Sequence, residues 1–299
     1  MLDYRVDTFL KVCETMNYTR AADALGLSQP AVSQHIAFLE SYYGAPLFTY
    51  SKKKLALTPA GHLLRERLGV LAGDMRTLVE EVGEASAAKS SLNLGLTMTV
   101  GEYVALDSIA AWRRHYPMSE IHLFYGNTER LLALIAEGKI SLALVEGYYP
   151  KNAYDALPYA TDRFIAVCAA DHRFASGSPH TLRDLMAEGL VLREHGSGTR
   201  DILERQLLSR GMKIEDFGPT IEVENMHALI DLLERDCGIS FLYSVAAQEG
   251  LRSGRLREIP LEDFSLVRHF DFIWSRKSLY AAQMCQTAAH LIAFRENKA

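Results

Sequence analysis

A chain of 299 residues with 48% hydrophobic and 23% charged residues has an ordinary globular composition and enough length for two or three packed cores, which excludes an intrinsically disordered protein. Its net charge of -5 excludes a nucleic-acid contact built on global charge. Residues 1–60 hold six Lys or Arg against five Asp or Glu, so any such contact must come from local placement.

No run of about 18 apolar residues occurs, and MLDYRVDTFL lacks the basic start and apolar stretch of a secretory signal, so we expect a cytoplasmic protein without a membrane partner. Cys13, Cys168, Cys237 and Cys285 are scattered, with no C-x-x-C pair. That fits neither a disulfide framework nor zinc-ligand spacing, so four reduced thiols, no metal and no cofactor are expected, with Cys168 and Cys237 both packing in apolar stretches.

Residues 3–16 carry Val6, Phe9, Leu10 and Cys13 on one helical stripe, with Asp3 as cap. In 19–40, Thr19 can cap a short helix ending near Leu25, Gly26 supplies a turn, and Ser28 can cap a second helix. Val32, Ile36 and Leu39 face one side of that second helix, while Pro30, Ser33, Gln34 and Ala37 lie on another. Such a helix can enter a major groove, where Gln and Ser hydrogen-bond base edges; the bland alternative is a helix pair used only for packing. PLFTYSKKKLALTP then places Lys52, Lys53 and Lys54 between two short apolar runs, a hairpin with a cationic tip suited to phosphates, although a lysine run alone is more often a solvated loop.

Thr58-Pro59 is a cap followed by proline in the first turn, and a helical pattern continues to about Ala88. Leu64, Leu68, Leu71, Met75, Leu78 and Val82 alternate intervals of four and three, a heptad seam of about 27 Å that wants a partner helix, although a helix lying on its own domain has the same spacing. Gly69, Gly73 and Gly83 weaken a helix that stands alone.

ASAAKSS at 85–91 is small and polar, a hinge before a new fold. Beyond it, short apolar strands at 92–96, 121–125, 142–145, 164–168, 190–192, 221–223 and 239–242 alternate mostly with helical stretches, the α/β signature. GLTMTVGEY, with Thr97 and Thr99, and REHGSGTR, with His195, Ser197, Gly198 and Thr199, each follow a strand and open a helix. Hydroxyls and helix N–H groups there can hold an anion, or simply cap the helices. Ser197 and His195 do not form a catalytic set, because neighbours in one loop are not a triad and no G-x-S-x-G elbow is present.

Residues 9–61 resemble the LysR-type DNA-binding domain, in the order A-A-x-x-L-x-x-S-Q-P-A-V-S, L-E, P-L-F and L-T-x-A-G. The match implies a winged helix-turn-helix in which Ser28, Gln29, Pro30, Ser33 and Gln34 meet DNA and Lys52, Lys53 and Lys54 meet phosphates. Gln34 and Tyr50 stand where the family commonly has Arg.

T-x-T-x-G-E-Y, G-N-T-E (126–129), L-V-E-G (144–147) and R-E-x-G-S-G-T-R resemble the effector domain of the branch with sulfur-assimilation and carbon-fixation regulators. There the threonine pair and the G-S-G-T loop line the effector cleft, a role carried to Thr97, Thr99, Ser197, Gly198 and Thr199, with His195 in place of the usual proline and Ser141 in place of the usual aspartate.

The implied fold is α/β overall, with an N-terminal winged helix-turn-helix (1–60), a long dimerising linker helix and hinge (61–89), and a two-lobed periplasmic-binding-protein-like α/β effector domain (90–299). Lobe I is expected at about 90–162 and 268–299, lobe II at about 163–267. The implied function is a sequence-specific transcriptional regulator, not an enzyme, controlled by a small anionic effector. Its partners would be double-stranded DNA, a second copy of itself as dimer or tetramer, and the transcription machinery. A solute-binding protein shares the two-lobed domain but not the helix-turn-helix.

Overall fold

In the computed structural model, which describes residues 3–51, 54–87, 91–175 and 177–296, the chain opens with α1 (Tyr4–Thr15), where the Asp3 side chain accepts from the Arg5 N–H. The next helix, α2 (Tyr18–Leu25), is capped by Asn17, whose Oδ1 accepts from the Arg20 N–H at 3.0 Å. Thr19, expected as the cap, is the second residue of the helix; both Asn17 and Thr19 are cap-type residues, and Asn17 is the one in the cap position with extended backbone. Gly26 makes the turn at φ +65°, and Ser28 caps α3 (Gln29–Tyr43) by accepting from the Ala31 N–H at 3.3 Å. Val32, Ile36 and Leu39 are buried in one core with Phe9, Val12 and Leu47.

Two short strands follow, β1 (Phe48–Ser51) and β2 (Lys54–Leu57), antiparallel from Phe48↔Leu57 to Ser51↔Lys54. Glu40 fastens the hairpin to α3, its Oε1 accepting from the Leu47 N–H at 2.7 Å and the Phe48 N–H at 3.3 Å. Thr58 then caps α4 (Pro59–Ala87), accepting from the Gly61 N–H at 3.0 Å while donating to the Pro46 carbonyl at 2.6 Å. By packing, residues 1–89, 133–141 and 275–281 form one compact unit. The last two segments were expected within the effector domain; they instead lie against α4, and Asp74 accepts from the Ser278 hydroxyl at 2.5 Å and the Leu279 N–H at 3.0 Å.

The remaining elements run β3 (Ser91–Leu96), α5 (Met98–Tyr103), α6 (Leu106–His115), β4 (Glu120–Tyr125), α7 (Thr128–Ala136), β5 (Leu142–Val145), β6 (Tyr154–Ala169) and β7 (Leu190–Arg193). They continue with α8 (Gly198–Leu208), β8 (Thr220–Val223), α9 (Met226–Glu234), β9 (Ser240–Tyr243), α10 (Ser244–Ser253), β10 (Leu256–Ile259), β11 (Leu266–Ser275) and α11 (Ala281–Glu296). The runs LALV and SFLY are buried throughout, as strands covered on both faces should be.

A mixed sheet carries the order β10-β6-β11-β5-β3-β4, with β9 also on β6, and β7 and β8 make a separate parallel pair. Its parallel end joins β3 to β4 and β5, and its antiparallel end joins β6 to β9 and β10. The lobe division expected at 162–163 and 267–268 falls inside β6 and β11, so continuous strands cross it. Their length hid them, because β6 varies in burial up to Arg163 and is wholly buried in its last six residues, and no single period covers both. Among the described residues no helix is long and apolar enough to cross a membrane.

Candidate functional site

The face of α3 opposite the core presents Ser28, Gln29, Pro30, Ser33 and Gln34, all exposed. Gln29 and Ser33 stand one turn apart, with the Gln29 amide 3.5 Å from the Ser33 hydroxyl, so neither is committed to the core. Lys54 is exposed at the end of β2; Lys52 and Lys53 lie outside the described residues. The structure thus brings short polar side chains and a hairpin cation to one small domain.

The heptad of α4 divides in two. Leu68 is buried at 5% exposure in the core of the helix-turn-helix and Leu64 packs against the same core, which removes both from the expected seam. Spacing cannot separate packing within a chain from packing between chains, since both need one apolar stripe. Leu71, Leu78 and Val82 remain exposed, joined by Leu63 and Val79, which the heptad omitted, and Met75 is half-buried. A distinction follows for mutants: Leu68→Ala should cost about 2–5 kcal/mol of unfolding free energy. Leu71→Glu with Leu78→Glu should leave each chain folded while lowering the mass in sedimentation, and an unchanged mass would return the seam to Leu64 and Leu68.

In the second unit, three strand ends meet. Thr97 and Thr99 follow β3, Glu146 follows β5, and Ser197, Gly198 and Thr199 follow β7; all are buried. The Thr99 hydroxyl donates to Glu146 Oε1 at 3.0 Å and the Thr199 hydroxyl donates to the same oxygen at 2.9 Å. The two loops therefore converge, and the group they hold is a carboxyl of this chain. Glu146 thus satisfies the donors of Thr99 and Thr199 that a bound anion would.

Burial pushes the Glu146 carboxyl up to about 7, against the opposing pull of the Thr199 and Thr99 hydroxyls and the Arg193 guanidinium. The loops approach closely enough to exclude side chains: a Cβ on Gly147, at φ +92°, would come within 2.7 Å of Gly198 Cα, and one on Gly198 within 2.6 Å of the Glu146 carbonyl.

Among the described residues, the buried Thr97 hydroxyl, Glu146 Oε2 and Arg193 Nη1 find no hydrogen-bond partner. Arg193 spends its other N–H groups on Glu194, from Nε at 2.9 Å and Nη2 at 3.2 Å. A cavity of about 700 Å³ reaches Arg193 and is lined also by Asn127, Arg130, Glu194, His195 and Asn225. His195 is exposed and its Nε2 accepts from Arg200 Nη2 at 2.8 Å, since a guanidinium only donates. Arg200 also donates to Glu204, Glu222 and the Arg193 carbonyl, which makes it a brace. Ser197 occupies the cap position of α8 without a cap hydrogen bond from its hydroxyl.

Glu146 and Arg193 carried no role in the sequence reading, although an acid ending the apolar run LALV, and an arginine ending LVL, were the signals for them. Cys237 and Cys285 are exposed, contrary to the packing expected of Cys237; Cys13 and Cys168 are buried, and burial pushes their thiols up to about 12 and about 11. Cys237 follows a helix end and a left-handed Asp236, where its side chain points out whatever the neighbouring apolar residues suggest.

Two family models match: the bacterial regulatory helix-turn-helix protein, lysR family, over residues 5–62, and the LysR substrate binding domain over residues 85–293. The chain is 28% identical over 273 residues to the HTH-type transcriptional regulator CysL of Bacillus subtilis, covering 90% of this chain and 89% of that one. It is 28% identical over 284 residues to a probable RuBisCO transcriptional regulator of Emiliania huxleyi, covering 91% and 89%. Among solved structures, ArgP of Mycobacterium tuberculosis shares the fold at TM-score 0.67, with 18% identity and 98% of both chains covered. With a lysR-family helix-turn-helix at one end and the family's substrate-binding domain over the rest, the chain belongs to the LysR family of DNA-binding transcriptional regulators and carries an effector-binding domain.

Proposed function

We propose that Gln29, Ser33 and Gln34, entering a major groove behind the Ser28-Gln29-Pro30 start of α3, read the operator, and that Lys52, Lys53 and Lys54 hold phosphates beside it. The observation that carries this is the exposed polar face of α3, whose opposite face is fixed in the core by Val32, Ile36 and Leu39. Exposed Leu71, Leu78 and Val82, with half-buried Met75, pair the chain with a second copy, so that two recognition helices match two half-sites. The protein acts in the cytoplasm through DNA geometry and not through catalysis.

The effector is a small oxyanion or carboxylate taken up at the cleft where Thr97, Thr99, Ser197, Gly198, Thr199 and His195 gather. Support comes from the buried, unpartnered N–H of Arg193 and the convergence of the threonine hydroxyls. Its binding changes regulation only through differential affinity for two arrangements of the paired heads.

Fluorescence anisotropy on DNA flanking the protein's own coding sequence tests the reading face. Gln29→Ala and Ser33→Ala should each weaken specific binding by about 1–3 kcal/mol while sparing nonspecific DNA. Replacing the three lysines with alanine should weaken all sequences alike and reduce the salt slope by up to about 3. Unchanged discrimination in the first pair removes α3 from base recognition.

A further inference from the structure

Glu146 stands where two threonine hydroxyls would otherwise offer themselves to an anion, and this placement bears on which ligand the cleft admits and when. The inference rests on the oxyanion reading given above. Glu146 is 2% exposed, and its Oε1 is filled by the Thr99 and Thr199 hydroxyls, while its Oε2 has no partner. The groups facing it come from every neighbouring strand end: Arg193 with Glu194 after β7, and Tyr243 at the end of β9, which in turn neighbours Arg268 on β11. Arg193 is a cation acting on Glu146, and it is bound twice to Glu194, so its charge is shared.

An ionised Glu146 would therefore put an incompletely compensated negative charge beside any incoming anion, in surroundings of low dielectric where repulsion is strong. A protonated Glu146 reverses the sign of the interaction. Its Oε2 then carries a hydrogen able to donate to a ligand oxygen, as the unpartnered Arg193 N–H and Thr97 hydroxyl also can, and its Oε1 still accepts from both threonines.

We propose that Glu146 is the charge-selecting residue of the effector cleft, binding an oxyanion together with one proton taken from solvent onto its own carboxylate. Effector sensing in this regulator is then coupled to pH. The direction in which burial moves the Glu146 carboxyl, toward about 7, sets the range in which the coupling is felt. Above that range each anion bound must carry a proton with it; below it the proton is already present.

Sodium sulfate is a suitable probe, because it stays a dianion across the range, and titration calorimetry of the full-length protein reads both affinity and proton uptake. In wild type the apparent Kd for sulfate should rise about tenfold per pH unit above about pH 7. Repeating the titration near pH 8 in two buffers of different ionisation enthalpy should show close to one proton taken up per sulfate. Glu146→Gln keeps an amide oxygen for the two threonines and offers a permanent donor at the other position, so its sulfate affinity should be flat with pH and match that of wild type near pH 6. His195→Asn removes the histidine of the cleft and should leave the coupling intact.

Sulfate affinity that is independent of pH in wild type, or coupling that survives Glu146→Gln or vanishes in His195→Asn, would overturn the proposal while leaving the oxyanion reading in place. Absence of sulfate binding in all three proteins at either pH would overturn that reading and the proposal together. The two-buffer measurement on wild type does not depend on any variant folding.

Discussion

Glu146→Gln should flatten the pH dependence of unfolding in the effector-binding unit between about pH 4.5 and 7. Glu146 is a carboxyl whose folded-state value is raised, from 4.5 to about 7, chiefly by burial. The folded protein then holds the proton over a range where the unfolded chain has released it, so stability falls as pH rises through this interval and the loss is complete above about 7. Below about 4.5 both states are protonated and the group contributes its full share. At about 1.36 kcal/mol per unit the wild-type loss across the window amounts to ~3 kcal/mol, a large part of the stability of an ordinary domain.

The amide variant has no proton to lose, so the difference in unfolding free energy between wild type and Glu146→Gln should change by ~3 kcal/mol from pH 5 to pH 8. Urea unfolding followed by tryptophan fluorescence suits the measurement, because both tryptophans, Trp112 and Trp274, lie in the same compact unit as Glu146. Parallel curves for the two proteins would mean that the carboxyl is ionised in the fold throughout the range.

Gly69→Ala should unfold or displace part of α4, at a cost of about 3 kcal/mol, whereas Gly83→Ala should stabilise the same helix by about 1 kcal/mol. The difference arises from what a Cβ meets. At Gly69 it would stand 1.7 Å from the Ala136 carbonyl oxygen, and Gly73 lies against Gly138, itself at φ +63°; at Gly83 nothing stands within 4 Å. The α4 backbone and the 136–138 turn thus touch directly.

That contact is tied down by charge. Lys139 pairs with Glu14 and Glu137 at 2.9 Å each, and Arg65 approaches Glu137 at 3.8 Å. Amide hydrogen exchange over residues 65–80 and 133–141 reads the outcome, with loss of protection in both segments expected for Gly69→Ala and none for Gly83→Ala. Equal protection in the two variants would mean that the turn does not rest on the helix.

The N-terminal domain was nearly all legible from the chain, because its determinants are local. Asp3 and Ser28 as caps, Gly26 as turn and Thr58-Pro59 as helix start each act within four residues, and helical spacing alone separates Val32, Ile36 and Leu39 from Gln29, Ser33 and Gln34. Motif order over residues 9–61 likewise carries the family resemblance.

What the chain left open is whatever depends on contacts distant in sequence. An apolar stripe does not say which partner covers it, so Leu64 and Leu68, packed on their own domain, read the same as Leu71 and Leu78, which are exposed. Gly69 and Gly73 read as weak points of a helix until a turn some 65 residues away is seen to require them. Hydroxyls at Thr99 and Thr199 that suit an anion suit a carboxylate equally, and only folding brings Glu146 between them. Local chemistry along the chain sets what each loop can bind; long-range packing, by burying Glu146 against both loops, sets what is already bound there and under which protonation state it can be joined.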